Sequence, residues 1–453
     1  MIQPSFCMRQ CRRYWAQLIV PPLLSLLVCT PASATDLIDI FDLAVSSDPT
    51  YLEARADFQA TVETRTQTRA QLLPQVTLSA DTFRNNQDIS TSTDDTLTVR
   101  ENVVFNSHGF SFDLRQPIFR APAYLEYQQS DNIIEQAQAE LRAARVDLAI
   151  RVVEAYFDLL AARDNLTFAQ AEKRSLEQQL EQANQRFEVG LTAKTDIQEA
   201  RAGFDRAVAE VIEAENAIDN ARESLREITG EYVNNVESLE GKLPLVKPNP
   251  EDIDTWTSQA LEQNMSVIAA RHALETADQQ IDIQRAEHLP TLDLVATKDF
   301  QSSGGFFGGR QIQTESIGLE FNMPLFQGGA VTSQTREAEE NRSASLQRLR
   351  REQRTAQSRT RQSYLGVISG ISRIKALEQA VVSSKTALEA TNAGFDAGTR
   401  TSVDVVAAER ALSDAKRNLA RARYDYIVNS LRLKRAAGVL TREDLARMNR
   451  WLQ

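Results

Sequence analysis

Few side chains in this sequence could do covalent or metal chemistry. The three histidines, His108, His272 and His288, are expected on a strand start, a helix and a helix end, far apart in the chain. All three cysteines, Cys7, Cys11 and Cys29, fall in the first 34 residues. The remainder therefore has no thiol nucleophile, no cysteine-ligated metal site and no disulfide framework. No HExxH, GxSxG, phosphate-loop or GxGxxG pattern stands in a suitable context. Acid pairs such as Glu339-Glu340 are expected to be solvated helix faces. The sequence thus offers no catalytic residue, no metal site and no cofactor-binding site, and an enzyme is not expected. What recurs instead is charge beside a turn: Phe187-x-x-Gly190 is followed by Asp196, and Phe395-x-x-Gly398 by Asp404.

Composition narrows the partners. There are 51 basic and 62 acidic residues, a net charge of −11. The first 34 residues carry three arginines and no acid, so the rest carries −14. A surface this acidic argues against nucleic acid or anionic lipid as the main partner. The N-terminus reads as a cleaved secretory signal over residues 1–34. Arg9, Arg12 and Arg13 precede an apolar stretch from Trp15 to Val28, and Ala32-Ser33-Ala34 supplies small residues for cleavage. A single membrane anchor is the alternative, but the apolar run is short for a span of about 20 residues. Lipidation at Cys29 is the other, and Val28 is bulky for it. No later stretch has 18 continuous apolar residues, so any membrane crossing by the mature chain must use strands.

The chain is written twice. At an offset of 208, Tyr156 matches Tyr364, Phe187 matches Phe395, Gly190 matches Gly398, Asp196 matches Asp404, Leu225 matches Leu433 and Gly230 matches Gly438. Upstream, Leu73-Pro74 pairs with Leu289-Pro290. The expected division is a first repeat over 35–243, a linker over 244–263, a second repeat over 264–438 and a C-terminal segment over 439–453. Each repeat has a helix, Leu-Pro, two strands, Pro-x-Phe and two long helices split by a glycine. Pro74 and Pro290 should stop the incoming helices, and Pro117 and Pro324 the outgoing strands. Strands are expected over 75–85, 103–116, 291–300 and 312–323, where apolar and polar residues alternate. The long helices carry heptads with one large and one mostly alanine position, as in Leu159, Leu166 and Phe187 against Ala162, Ala169 and Ala183. That pattern means closely packed coiled-coil helices, and 121–187 alone would span roughly 100 Å. Taken without the strands, these helices would suit a periplasmic coiled-coil adaptor or structural scaffold.

The strands change the balance. Four strands leave two open edges, and in hydrocarbon every unpaired backbone group costs several kcal/mol. Strands inserted in a bilayer must close into a barrel. Four are too few, so several chains must contribute; spacing alone does not choose between two and three.

The duplicated helix–hairpin–helix units, with Phe187-Glu188-Val189-Gly190-Leu191-Thr192-Ala193-Lys194-Thr195-Asp196 and Gly394-Phe395-Asp396-Ala397-Gly398-Thr399-Arg400-Thr401-Ser402-Val403-Asp404, resemble the TolC family of outer-membrane efflux and secretion channels. So do Ala286-Glu287-His288-Leu289-Pro290 and Pro324-Leu325-Phe326-Gln327-Gly328-Gly329. The resemblance runs from about Asp36 to Met448. It implies a mainly α fold with β: a homotrimer in which four strands per chain build a twelve-stranded barrel against outer-membrane lipid, and the tandem-duplicated long helices form a periplasmic α-barrel. It implies a passive exit duct of a tripartite efflux pump or type I secretion system, working with a periplasmic adaptor (membrane fusion protein) and an inner-membrane pump or ABC exporter. Gly190, Leu191, Thr192, Gly398 and Thr399 would be adaptor-facing hairpin tips. Arg400 would lock the resting gate against Thr195 and Asp196, and Asp404 would form an acidic ring at the pore constriction. Two positions depart from the family pattern. Ala407 stands where a second aspartate is usual, and Phe395 where a tyrosine hydroxyl assists the lock.

Overall fold

The computed structural model describes residues 36–451 apart from 94–96, 191, 234–235, 238–242 and 306–307. The expected signal segment 1–34 and the tip residue Leu191 lie outside the described residues. The elements run α1 (Leu37–Ser47), α2 (Pro49–Ala70), β1 (Gln75–Thr93), β2 (Leu97–Phe119), α3 (Ala121–Glu188), α4 (Lys194–Thr229), α5 (Ile253–Gln263), α6 (Met265–Ala286), β3 (Thr291–Ser303), β4 (Arg310–Asn322), α7 (Ala330–Asp396), α8 (Ser402–Ala437) and α9 (Arg442–Asn449).

The duplication is visible element by element. α1 and α5 each have 11 residues, α2 and α6 each 22, and α4 and α8 each 36, while α3 has 68 and α7 has 67. One residue ends α1 and caps α2, namely Asp48; its counterpart between α5 and α6 is Asn264. Each side chain accepts from backbone N–H groups of the helix it opens, Asp48 from Tyr51 at 2.7 Å and Asn264 from Ser266 at 3.0 Å, satisfying donors that the first turn leaves unpaired. α2 and α6 stop a few residues short of Pro74 and Pro290, as the Leu-Pro pairs require. At 1.5 Å per residue the unbroken α3 is about 100 Å long.

The four strands form one antiparallel sheet in the order β1-β2-β3-β4. Its register puts the apolar sets together: Val76 faces Leu114, Leu114 faces Ala296, and Ala296 faces Ile317. These rows stay uncovered, with Leu78 71% and Ile317 76% exposed. Phe110 and Phe300 stack at 5.4 Å on the same face. The opposite face is polar. Asp293 there receives Arg115 at 2.8 Å and Arg120 at 2.6 Å, and Arg115 also reaches Glu320 at 2.8 Å.

Two expectations need correction. The first hairpin continues well past 85 and back from before 103, to the pair Thr93–Leu97. Beyond Ala80 the run Thr82 to Asp88 is polar apart from Phe83, so hydropathy alternation fades where the ladder does not. Pro117 does not end β2 either. The strand passes it with a shift in register and runs to Phe119, since a missing N–H breaks one ladder bond rather than the strand.

The core lies midway along the long helices, where α1, α3, α4, α7, α8 and α9 converge. Leu37, Ile40, Leu148, Tyr156, Leu159, Leu225, Ile374 and Tyr426 are fully buried there or nearly so. Tyr426 donates to the Val246 carbonyl and accepts from the Val246 N–H, both at 2.8 Å, so it ties the inter-repeat stretch to α8. Further along the helices the buried line is the alanine one. Ala169, Ala183, Ala200, Ala207 and Ala214 are buried while Phe187 is exposed, as close backbone approach demands. Among the described residues no helix is long and apolar enough to cross a membrane.

Candidate functional site

The two glycine breaks are tight hairpin tips. Gly190 and Gly398 both sit at φ 75°, a left-handed conformation that a β-carbon disfavours. Gly190 N–H donates to the Phe187 carbonyl at 2.9 Å and Gly398 N–H to the Phe395 carbonyl at 3.1 Å. After Gly398 the chain folds back on Gly394, whose carbonyl accepts from Thr399 N–H at 2.8 Å and Arg400 N–H at 3.2 Å. These bonds satisfy the last carbonyls of α7.

Each tip then opens a helix with an aspartate in the first turn. Asp404 accepts from Thr401 N–H at 3.0 Å, and Thr401 Oγ1 accepts from Asp404 N–H at 3.3 Å. This is a reciprocal capping box, and the pattern Thr401-x-x-Asp404 was readable in the sequence. The hydrogen bonds from Thr401, backbone first, hold the Asp404 carboxyl below the usual aspartate range, with Arg400 adding to the effect. Asp404 is therefore a structural acid as well as an exposed charge. Its other oxygen is 4.0 Å from Arg400 Nη1. Asp196 is weaker as a cap. It reaches the Ala193 N–H at 3.4 Å and accepts from the Thr192 hydroxyl, but Ala193 has no side-chain oxygen to cap the Asp196 N–H, which donates instead to the Ala193 carbonyl at 3.1 Å. Within one chain Arg400 meets Asp404 of its own tip, not Thr195 or Asp196.

A contact that joins the two hairpins at their tips was missed by sequence reasoning. Arg186, at the end of α3, lies over the Phe395 ring at 4.4 Å and reaches Asp396 at 3.0 Å. A ring without a hydroxyl is still an acceptor for a guanidinium, worth about 0.5–1 kcal/mol at an exposed site. No local signal marks a partnership across 209 positions.

Above the tips, α8 faces α3 through a series of ion pairs. Arg435 meets Asp147 at 2.8 Å, Arg432 meets Glu154 at 2.7 Å, and Arg421 meets Asp158 at 2.7 Å. Nearest the tips, Arg417 sits among Asp414 at 2.8 Å and Glu172 and Glu210 at 3.5 Å. Glu172 is 4% exposed. Burial, and then the charge of Glu210, push its carboxyl above the usual range despite Arg417. The histidines stay apart: His108 lies on β2, His272 on α6 beside Asn132 and Glu275, and His288 just past α6.

An uncovered apolar sheet face, two open strand edges and paired helix hairpins of some 100 Å suit a membrane-spanning assembly with a long water-exposed extension. The sequence profile of the outer membrane efflux proteins matches both halves, over residues 40–231 and 256–439. The chain belongs to that family. It is 36% identical over 424 residues to the outer membrane protein TolC of Vibrio cholerae, covering 93% of this chain and 94% of TolC. It is 31% identical to the alkaline protease secretion protein AprF of Pseudomonas aeruginosa, covering 93% and 88%. The fold matches the CmeC outer membrane channel of Campylobacter jejuni with a TM-score of 0.77 at 18% identity, covering 95% and 94%.

The family member described here is thus an outer-membrane efflux or secretion channel that extends into the periplasm. The expected fold class is borne out: such channels combine an α-barrel with a trimeric β-barrel, to which this chain supplies long duplicated helices and four strands. The family is one of channel proteins rather than enzymes, and channels of this kind act with adaptor proteins and inner-membrane pumps. The scaffold alternative falls with the membership.

Proposed function

We propose that three copies form a passive exit duct that is gated at the hairpin tips and performs no chemistry of its own. The observation that carries this reading is the state of the tips. Both end in glycine turns held by their own caps, and at the ends of the hairpins Arg186 joins the two through a half-exposed cation–π and ion-pair contact. Contacts of this kind are worth about 0–1 kcal/mol each, which suits an element that must separate and return.

In this reading Gly190, Leu191, Thr192, Gly398 and Thr399 face a periplasmic adaptor, and an inner-membrane pump or ABC exporter delivers cargo and supplies the energy. The segments 244–263 and 439–453 form a belt around the middle of the duct. Arg400, with its side chain 60% exposed, is free to reach Thr195 and Asp196 of a neighbouring hairpin and hold the closed state. Three copies of Asp404 ring the constriction, where carboxylates attract cations and repel anions. With Ala407 one turn on, only one acidic ring forms.

Single-channel current across a planar bilayer under a salt gradient tests this. The purified protein should give discrete, cation-preferring steps, and Asp404→Asn should lower that preference while the trimer persists. Unchanged selectivity would remove Asp404 from the constriction.

A further inference from the structure

The internal repeat places two versions of one site at corresponding points of the belt, and only one of them is filled. In the first repeat the α2 cap, Asp48, is 1% exposed and is gripped by Arg151, with Nη2 at 2.8 Å from one oxygen and Nη1 at 2.9 Å from the other. At the offset of 208 the counterpart of Arg151 is Arg359; before the strands the offset is 216, as for Leu73 and Leu289, and the counterpart of the cap Asp48 is Asn264. The carboxylate has become an amide. Asn264 turns its NH2 to the Ala436 carbonyl at 2.9 Å, so it offers a donor where Asp48 offers an oxygen. Among the described residues Arg359 has no carboxylate partner.

The surrounding charge has reversed as well. Ser224 and Glu227 on α4 correspond to Arg432 and Arg435 on α8. Arg359, Arg432, Arg435 and Asn264 line one cavity of about 330 Å³ between α3, α6, α7 and α8. Gly438 closes its edge. A β-carbon there would come within 2.2 Å of the Gln263 carbonyl oxygen. Asp147 is the one acid on the cavity wall, and it is already engaged by Arg435. The first repeat thus supplies its arginine with a carboxylate from within the chain, whereas the second gathers three arginines around a space, holds Arg432 by Glu154 and Arg435 by Asp147, and leaves Arg359 without a carboxylate among the described residues.

We propose that this cavity is a binding site for a small oxyanion, a carboxylate or phosphate group, which takes the place that the Asp48 carboxylate fills in the first repeat. Guanidinium groups read both oxyanions through paired N–H donors. The ligand bridges α7 to α8 beside the start of α6, at the level where the core anchors the long helices, so its binding stiffens the second repeat as the internal pair stiffens the first.

Isothermal titration of the purified trimer in detergent, at constant ionic strength of about 150 mM, tests this with citrate and with inorganic phosphate as probes. Saturable binding of either probe below about 1 mM is expected. Arg359→Gln, a change at an exposed position, should weaken it at least tenfold, and Arg373→Gln on the same helix should not. Asn264→Asp, which installs the missing carboxylate, should abolish it. A preference for citrate identifies a carboxylate ligand and a preference for phosphate a phosphate one. Absence of saturation in the wild-type trimer, as when a neighbouring copy fills the cavity, overturns the proposal. So does equal binding by Arg359→Gln, whether or not Asn264→Asp folds.

Discussion

Midway along the long helices a carboxylate that is 1% exposed is held by two guanidinium nitrogens within 2.9 Å, and the Tyr426 hydroxyl stitches the inter-repeat stretch to the core. At the hairpin tips Arg400, its side chain 60% exposed, stands 4.0 Å from Asp404, and Arg186 rests on a half-buried ring. The same long helices pass through both places. The two places therefore differ not in secondary structure but in how much is removed from water, and this separates an anchor from a moving part.

The largest effect expected from breaking this contrast is at the anchor. Asp48→Ala removes both the α2 cap and the partner of Arg151, and should cost about 3 kcal/mol, seen as a lowered thermal midpoint with tip behaviour unchanged until unfolding. Asp48 also sets a pH dependence. Burial pushes its carboxyl up, but the bonds from Arg151 and Tyr51 outweigh this and leave it below the ordinary aspartate value. Its contribution is full above that value, about pH 3.9, and is lost as pH falls through the lowered folded value.

Glu172, in the helical stretch between anchor and tips, should behave in the opposite sense. Its folded value is raised, so its ionised form weakens the folded state above the ordinary glutamate value. That penalty is relieved as pH falls through the raised value. Glu172→Gln should accordingly stabilise the protein by about 1 kcal/mol at pH 8 and by almost nothing near pH 4. Thermal melts across this range check the sign, and a variant less stable at pH 8 would show that Arg417 over-compensates the burial.

The smallest effects belong to the tips. Arg186→Ala should release about 0.5–1 kcal/mol, raising resting conductance roughly two- to fivefold without shifting the thermal midpoint. Arg400→Ser should raise it less, since its contact within the chain is longer and more exposed. A larger rise for Arg400→Ser than for Arg186→Ala would reverse this order and make the contact to Thr195 and Asp196 of a neighbour the principal lock.

Features with a local cause were legible in the sequence. Leu73-Pro74 and Leu289-Pro290 end helices, Gly190 and Gly398 make turns, and the alternation from Val76 to Ala80 marks a strand, because each acts within a few residues of itself. The strand extensions beyond Ala80 were not legible, since a hairpin wet on both faces keeps its backbone ladder without keeping a pattern of hydropathy. Partnerships at long range were not legible either. Arg186 with Phe395, Arg151 with Asp48 and Arg417 with Glu172 are set by the helix packing, not by spacing. Asp404 falls between these cases. Its cap was written in Thr401-x-x-Asp404, while its place in a pore depends on two further copies.

The sheet that each chain brings has β1 at one edge and β4 at the other, and among the described residues the outer edge of each has no strand beside it. In a trimer every seam joins the β4 of one copy to the β1 of the next, so a lesion confined to β4 spoils one seam of any ring it enters. Where half the chains carry such a lesion, about one ring in eight contains intact copies only. Edge-strand alleles of this gene should therefore be dominant over the wild type, whereas lesions that unfold a chain before it joins a ring should be recessive.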